Sequence, residues 1–287
     1  MSSNEVTWKD KLKVYTRTPG SLIVMLLVML SAIVTFTVLI FLIVYVLAHG
    51  VPYLKPSIFS LHYTSENASL MPALINTVIM TLLSLLIAVP FGIFAAIFLV
   101  EYAKKGSRFV KLIRITAETL SGIPSIVYGL FGMLFFVTAL HWGMSLLSGA
   151  LTMVIMVLPL IMRTAEEALK SVPDSYREAS FGLGAGKLRT IFTIVLPSAV
   201  PGILAGVILA IGRVVGETAA LLYTSGTVAA VPNSLMGSGR TLALHMYVLS
   251  SEGLHVNQAS ATAVVILAFV LVINGLSGLV ARKIAKG

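Results

Sequence analysis

Cysteine is absent, so the chain holds no disulfide and no thiolate metal site. Charge is scarce. Only 11% of the 287 residues are charged, against about 25% in soluble globular domains. Acidic side chains are the rarer kind, 11 Asp and Glu beside 20 Lys and Arg. So little charge cannot cover a water-facing surface, which excludes a soluble domain as the bulk of the chain. The G-x4-G-K-[ST] loop that cradles nucleotide phosphates is also missing. No internal repeat is visible, which argues against the repeat-built secondary transporters. What is present is apolar: 57% of residues are hydrophobic, and the mean hydropathy is +0.99. The reading is an all-α polytopic membrane bundle in contact with lipid.

Crossing the hydrocarbon core takes about 20 apolar residues. Six segments qualify, at roughly 21–48, 72–100, 119–140, 146–165, 199–223 and 259–281. The first is too long for the short apolar core of a signal peptide and is read as an uncleaved anchor. Prolines 90, 124, 159 and 201 fall inside spans, where neighbouring helices must satisfy the carbonyls they free. Seventeen of the twenty basic residues fall in alternate gaps: Lys9, Lys11, Lys13 and Arg17, then 104–114, 163–189 and 282–286. Basic loops stay on the cytoplasmic side, so both termini are expected inside. The net charge of +9 therefore serves topology, and nucleic acid is excluded as a partner. The expected organisation is an N-tail, anchor and external loop over 1–70, a five-span unit over 71–281, and a C-tail over 282–287. The external gap 224–258 contains an apolar stretch, Thr241–Leu249. It is too short to span and is read as a re-entrant or interfacial helix.

Two stretches carry chemistry. In the cytoplasmic gap over 166–197, Glu178-Ala179-Ser180 is followed by Gly184 and then by Ile194-Val195-Leu196-Pro197. Small residues at 179 and 180 would let another protein approach the backbone. Gly184 suits a helix end, and Asp174 and Ser175 after Pro173 are candidate caps. In the fifth span stands Gly212-Arg213-Val214-Val215-Gly216-Glu217-Thr218. A central Arg costs at least about 2.5–3.5 kcal/mol on insertion scales, so it needs a partner or a water-filled path. Four residues on, Glu217 would share its helical face. A guanidinium fork also matches a tetrahedral oxyanion. Ser121, Ser125 and Tyr128 near the Pro124 bend are further candidates to line such a path, and Glu217 is the only clearly embedded acid.

The first stretch resembles the E-A-A-x3-G-x9-I-x-L-P loop of binding-protein-dependent ABC importers, with Ser180 at the second alanine. In that family the loop seats in a groove of the ATPase. Arg213-x-x-Gly216-Glu217-Thr218-Ala219 resembles the R-x-x-G-E-T-A segment of phosphate ABC permeases of the PstA type. Ala220 stands where those continue with proline. Pro124-Ser125-Ile126-Val127 with Gly129-Leu130-Phe131 is similar to a second segment of the same family. The resemblance implies a permease of a bacterial or archaeal plasma membrane, of the type I importer fold. Its substrate path would include Arg213, Glu217, Thr218, Ser125 and Tyr128. Its coupling element would include Asp174, Glu178, Ala179, Ser180 and Gly184. It also implies a PstC-like second permease, a PstB-like ATPase dimer that binds the ATP, and a PstS-like external phosphate-binding protein. No cofactor of this chain's own is implied, and no catalytic role. The alternative is the same architecture serving sulfate, molybdate or phosphonate.

Overall fold

The computed structural model describes residues 19–104, 106–253 and 255–284. Lys9, Lys11, Lys13, Arg17, Lys105 and Lys286, used above for orientation, lie outside the described residues, as do the side chains of Arg282 and Lys283. Every regular element among the described residues is helical. The chain divides into two compact units at His49/Gly50.

The described residues of the first unit all lie in one helix, α1 (Pro19–Gly50), whose last residue falls in the second unit. Its 32 residues rise about 48 Å at 1.5 Å per residue, longer than the ~30 Å hydrocarbon layer, so it must tilt or project. Two of its hydroxyls are satisfied within the helix. Ser31 and Thr35 each donate to the carbonyl four residues back at 2.8 Å, as lipid requires.

Residues 51–70 go with the second unit. Ile58 and Leu70 are buried in one cluster with Ala73, Leu242 and Ala261, and Leu70 N donates to Ile58 O at 2.8 Å. The boundary expected after residue 70 therefore falls at residue 49, because this loop buries its own apolar side chains in the bundle. Two long helices, α2 (Met71–Tyr102) and, further along, α5 (Leu146–Ser171), form the middle of that bundle. Small residues set their spacing, as in membrane helix pairs generally. A Cβ on Gly92 would sit 2.7 Å from Ile161 Cγ2, and one on Gly149 would sit 2.8 Å from Met80 Cε. Ser145 caps α5 by accepting from Ser148 N at 3.2 Å.

The third expected span, 119–140, is instead a bent pair. It consists of α3 (Arg108–Ser121) and α4 (Ser125–Ala139), with axes 100° apart. Pro124 causes the bend, since it lacks the amide that would continue the helix and disfavours helical backbone before it. On α3, Phe109, Leu112 and Ile115 are exposed while Val110 and Ala117 are buried. That pattern suits a helix lying in the membrane interface.

After the short helix α6 (Asp174–Gly182) comes α7 (Lys187–Val215). The fifth span, expected over 199–223, thus starts earlier and stops sooner. It starts earlier because Ile191, Val195, Ala199 and Ile203, at four-residue spacing, bury against Ala165 and Leu169 of α5. A π-helical turn over Ile191–Val195 precedes Pro197 and accommodates its missing amide. The span stops at Val215, and the short α8 (Ala219–Thr224) follows. The external segment then leads into α9 (Leu242–Glu252), ended by Gly253 at φ +71°, and the bundle closes with α10 (Val256–Ile284). Apart from α1, the long apolar helices are α2, α5, α7 and α10, with the bent α3–α4 pair supplying one further crossing.

Candidate translocation site and docking helix

The break between α7 and α8 positions the charged pair read from the sequence. Gly216 N still donates to Gly212 O at 3.1 Å and Glu217 N to Val214 O at 3.3 Å, so α7 closes on a tight last turn. Beyond it, the Glu217 carboxylate is buried and accepts the Ala220 amide at 3.0 Å. It thereby satisfies one of the free donors at the start of α8. Arg213, in the last turn of α7, is half-buried. Among the described residues no carboxylate lies within ion-pair distance of it. The close pairing with Glu217 that a shared helical face would allow does not form. Four-residue spacing brings side chains together only along an unbroken helix, and this helix ends between them. A Cβ on Gly212 would meet nothing within 4 Å, so the helix surface is open at the residue next to Arg213.

Helix α4 covers the other side of the break. A Cβ on Gly129 would sit 2.7 Å from Ala220 Cα. Tyr128 joins Ala210, Val214, Ala220 and Leu221 in one buried cluster. The Tyr128 hydroxyl donates to Leu120 O at 2.7 Å, and Ser121 Oγ donates to Ala117 O at 2.9 Å. Tyr128 thus takes the Leu120 carbonyl that the missing Pro124 amide leaves, and Ser121 back-bonds within α3, so both donors are committed. Ser125 and Thr218 are half-buried at the first turns of α4 and α8. Broken backbone at membrane depth is stable only inside protein or along a cavity. Discontinuous helices of this kind hold ions and small substrates in transporters.

At the other end of the bundle, α6 forms with the start of α7 a helix–turn–helix turned by Gly184 at φ +83°. Glu178 and Ala179 face outward. Ser180 faces inward, 4% exposed, with its Oγ 2.8 Å from Thr190 Oγ1. Successive helix residues point about 100° apart, so the two small residues do not form one outer surface as the pattern suggested. The hydroxyl that departs from the second alanine of that pattern has an internal partner. The proposed cap also differs. Pro173 precedes the helix without a side-chain bond, and Asp174 pairs with Arg177 at 3.2 Å. Leu183 is 90% exposed beside half-exposed Tyr176 and Phe181, leaving an apolar rim on a cytoplasmic-type helix.

Two acids here, one buried and one half-buried, were not legible as such. Glu166 is 5% exposed, and its Oε1 lies 2.6 Å from Arg114 Nη2 and 2.7 Å from Lys170 Nζ. Glu217 is therefore not the only embedded acid; a carboxylate in a basic loop becomes buried once α3 folds against α5. Glu101, at the end of α2, receives Arg177 Nε at 3.0 Å and Nη2 at 2.8 Å. Arg177 also donates to Val172 O and Leu169 O at 2.8 and 3.0 Å, so one guanidinium ties α6 to α2 and α5. Arg177→Ala leaves Glu101 unpaired and is expected to cost about 3–5 kcal/mol. Thermal unfolding in lipid nanodiscs checks this, and an unchanged melting temperature would dismiss the tie.

A helical bundle with a cationic break in one span and an exposed helix–turn–helix between spans defines a class, the multi-span permease that works with soluble partners. Comparison with known proteins agrees. Residues 88–286 match the family described as binding-protein-dependent transport system inner membrane component, and the chain belongs to that family. It is a multi-pass inner-membrane protein. It is 35% identical over 231 residues to a probable ABC transporter permease protein, YqgI, of Bacillus subtilis, covering 74% of this chain and 78% of that one. It is 42% identical over 154 residues to the phosphate transport system permease protein PstA 1 of Mycobacterium tuberculosis. That match covers 54% of this chain and about half, 50%, of the relative. Among solved structures, a bacterial alginate ABC transporter in complex with its alginate-bound periplasmic protein superposes with TM-score 0.69 at 18% identity, over 98% of this chain and 99% of that one. The MetNI methionine ABC transporter gives 0.57 at 16%, over 84% and 97%. These likenesses show the type I importer permease fold.

Proposed function

We propose that this chain is the transmembrane permease subunit of an ATP-driven phosphate importer. It forms the translocation path together with a second permease. ATP is bound and hydrolysed by a partner ATPase dimer seated on α6, and phosphate is delivered by an external binding protein. The observation that carries the reading is Arg213. It is a half-buried guanidinium without a carboxylate partner among the described residues, placed at a helix break where the helix surface is open at the residue next to it. An unpaired cation at this depth is costly unless an anion passes it, and a guanidinium recognises a tetrahedral oxyanion through paired charge-assisted bonds. The similarity to one mycobacterial and one mycoplasmal phosphate transport system permease protein supports phosphate as that anion. The outward Glu178 and Ala179, with the apolar rim at Leu183, support α6 as the surface the ATPase covers.

The test is uptake of radiolabelled phosphate by membrane vesicles carrying the whole transporter, with sulfate, molybdate or a phosphonate as competitor. Uptake that needs ATP and is competed only by unlabelled phosphate is expected. Stronger competition by another oxyanion would transfer the assignment to that anion.

A further inference from the structure

A second guanidinium is buried at the end of the bundle away from α6. Arg240 is 4% exposed, and its Nε and Nη2 have no hydrogen-bond partner. Among the described residues no carboxylate lies within ion-pair distance of it. Its one favourable neighbour is the face of Tyr63, 4.7 Å from the guanidinium carbon to the ring centroid. A cation–π contact of this kind offsets only a part of what burying a charge costs.

The side chain is not merely misplaced, because its backbone is held from two directions. Arg240 N donates to Val228 O at 3.0 Å, and Arg240 O accepts from Asn76 Nδ2 of α2 at 3.2 Å. Leu242 N, next but one, donates to Thr77 Oγ1 at 2.8 Å. The opposite end of α2 carries Glu101, which holds the docking helix through Arg177. Asn76 and Glu101 are 25 residues apart, roughly 38 Å along a helix. Arg240 therefore lies at the end of the bundle away from α6.

The groups around it form a set. His245, on the first turn of α9, is fully buried, and neither ring nitrogen has a partner; the Ala68 backbone approaches the ring without completing a hydrogen bond. Burial, aided by the positive Arg240, pushes His245 down to about 3, so at neutral pH it is an uncharged ring with one donor and one acceptor. Tyr63 stands edge-on to that ring at 6.1 Å. Thr241 is the residue that opens α9, yet its hydroxyl is buried and caps nothing. Asn76 Oδ1 is buried and unpartnered as well. Buried polar atoms are nearly always paired. Here several orphans share one neighbourhood: two guanidinium donors, a hydroxyl, an imidazole and an amide acceptor.

We propose that Arg240, Thr241, His245 and Asn76 form a second oxyanion site, at the external end of the bundle, which takes free phosphate before it reaches Arg213. The donors outnumber the acceptors, as an anion requires. The spare acceptors, Asn76 Oδ1 and one imidazole nitrogen, suit an oxyanion that still carries a proton, as phosphate does near neutral pH and sulfate does not. The choice of phosphate rests on the function proposed above; the existence of an anion site does not.

The experiment uses the full chain in lipid nanodiscs and reads saturable stabilisation and equilibrium binding with inorganic phosphate, sulfate and chloride. Phosphate is expected to raise the melting temperature of the unsubstituted chain, and still to raise it in Arg213→Gln, where only the second site remains. In Arg240→Gln its binding should weaken at least about ten-fold, the loss of a charge-assisted pair. Thr241→Val keeps the guanidinium and its Tyr63 contact and serves if Arg240→Gln does not fold. It should weaken binding about five-fold, as one lost hydrogen bond does. Equal binding by Arg240→Gln and the unsubstituted chain overturns the site. So does loss of all binding in Arg213→Gln, which would leave the proposed function standing. An identical response to chloride overturns it too, as screening by an adventitious ion only. Sulfate bound in preference to phosphate at Arg240, with uptake still specific for phosphate, overturns the staging role alone.

Discussion

Arg213→Gln is expected to abolish phosphate uptake while leaving the transporter assembled. Glutamine keeps much of the side chain's length and polarity but neither the charge nor the paired donors. In a low-dielectric path, the interaction of a guanidinium with a phosphate oxyanion is worth several kcal/mol. Removing about 3 kcal/mol corresponds to a fall in uptake of more than about 100-fold. Stability should hardly change. Deleting one member of a buried ion pair strands the other, but Arg213 has no carboxylate partner among the described residues, and Glu217 is engaged with the Ala220 amide. Arg213→Lys should recover part of the rate, since it restores charge without the fork. Uptake of labelled phosphate, read beside co-purification of the partner subunits, decides. Near-normal uptake by Arg213→Gln would remove the guanidinium from the path and with it the observation on which the function rests.

The second large effect is expected on α6. Ala179→Trp places a bulky ring on the outward face and should leave ATP hydrolysis insensitive to the permease while transport falls at least about ten-fold, the equivalent of one misfitted contact of 1–3 kcal/mol. Glu178→Lys, on the same exposed side, should act in the same direction. Ser180→Ala, one residue on, should transport nearly as well as the unsubstituted chain. It loses the bond to Thr190, about 1 kcal/mol of local stability, and gains nothing that protrudes. A repeat-motif reading treats 179 and 180 as equivalent, whereas the fold separates them. Full coupling in Ala179→Trp, measured as ATP hydrolysed per phosphate moved, would rule out α6 as the ATPase seat.

Much of the fold was legible because lipid imposes simple rules. Runs of about 20 apolar residues and a one-sided distribution of Lys and Arg carry the helices and their alternation. The helix–turn–helix before the fifth span was legible through its spacing, and Gly184 takes the positive φ that such a turn needs. The boundaries that failed did so for identifiable reasons. Hydropathy falls before residue 199, yet α7 begins at Lys187, because Ile191 and Val195 find apolar partners on α5. Hydropathy stays high through 223, yet the helix breaks after Val215, where Glu217 caps a new one. Neither event leaves a mark on local composition. Glu166, Arg240 and His245 were missed for a related reason: each lies between the expected spans and is buried by elements distant in the chain.

By itself, the sequence determined the solvent, the class of fold, the expected alternation across the membrane and the two stretches where charge or small residues are out of place. Those depend on composition and on periodicity along one helix. Only the tertiary structure decided that Arg213 and Glu217 part company, that Ser180 turns inward, and that Arg240 is buried without a carboxylate partner among the described residues. These outcomes depend on where one helix stops and which distant segment packs against it, and a side chain's partners are chosen by that packing rather than by its neighbours in the chain.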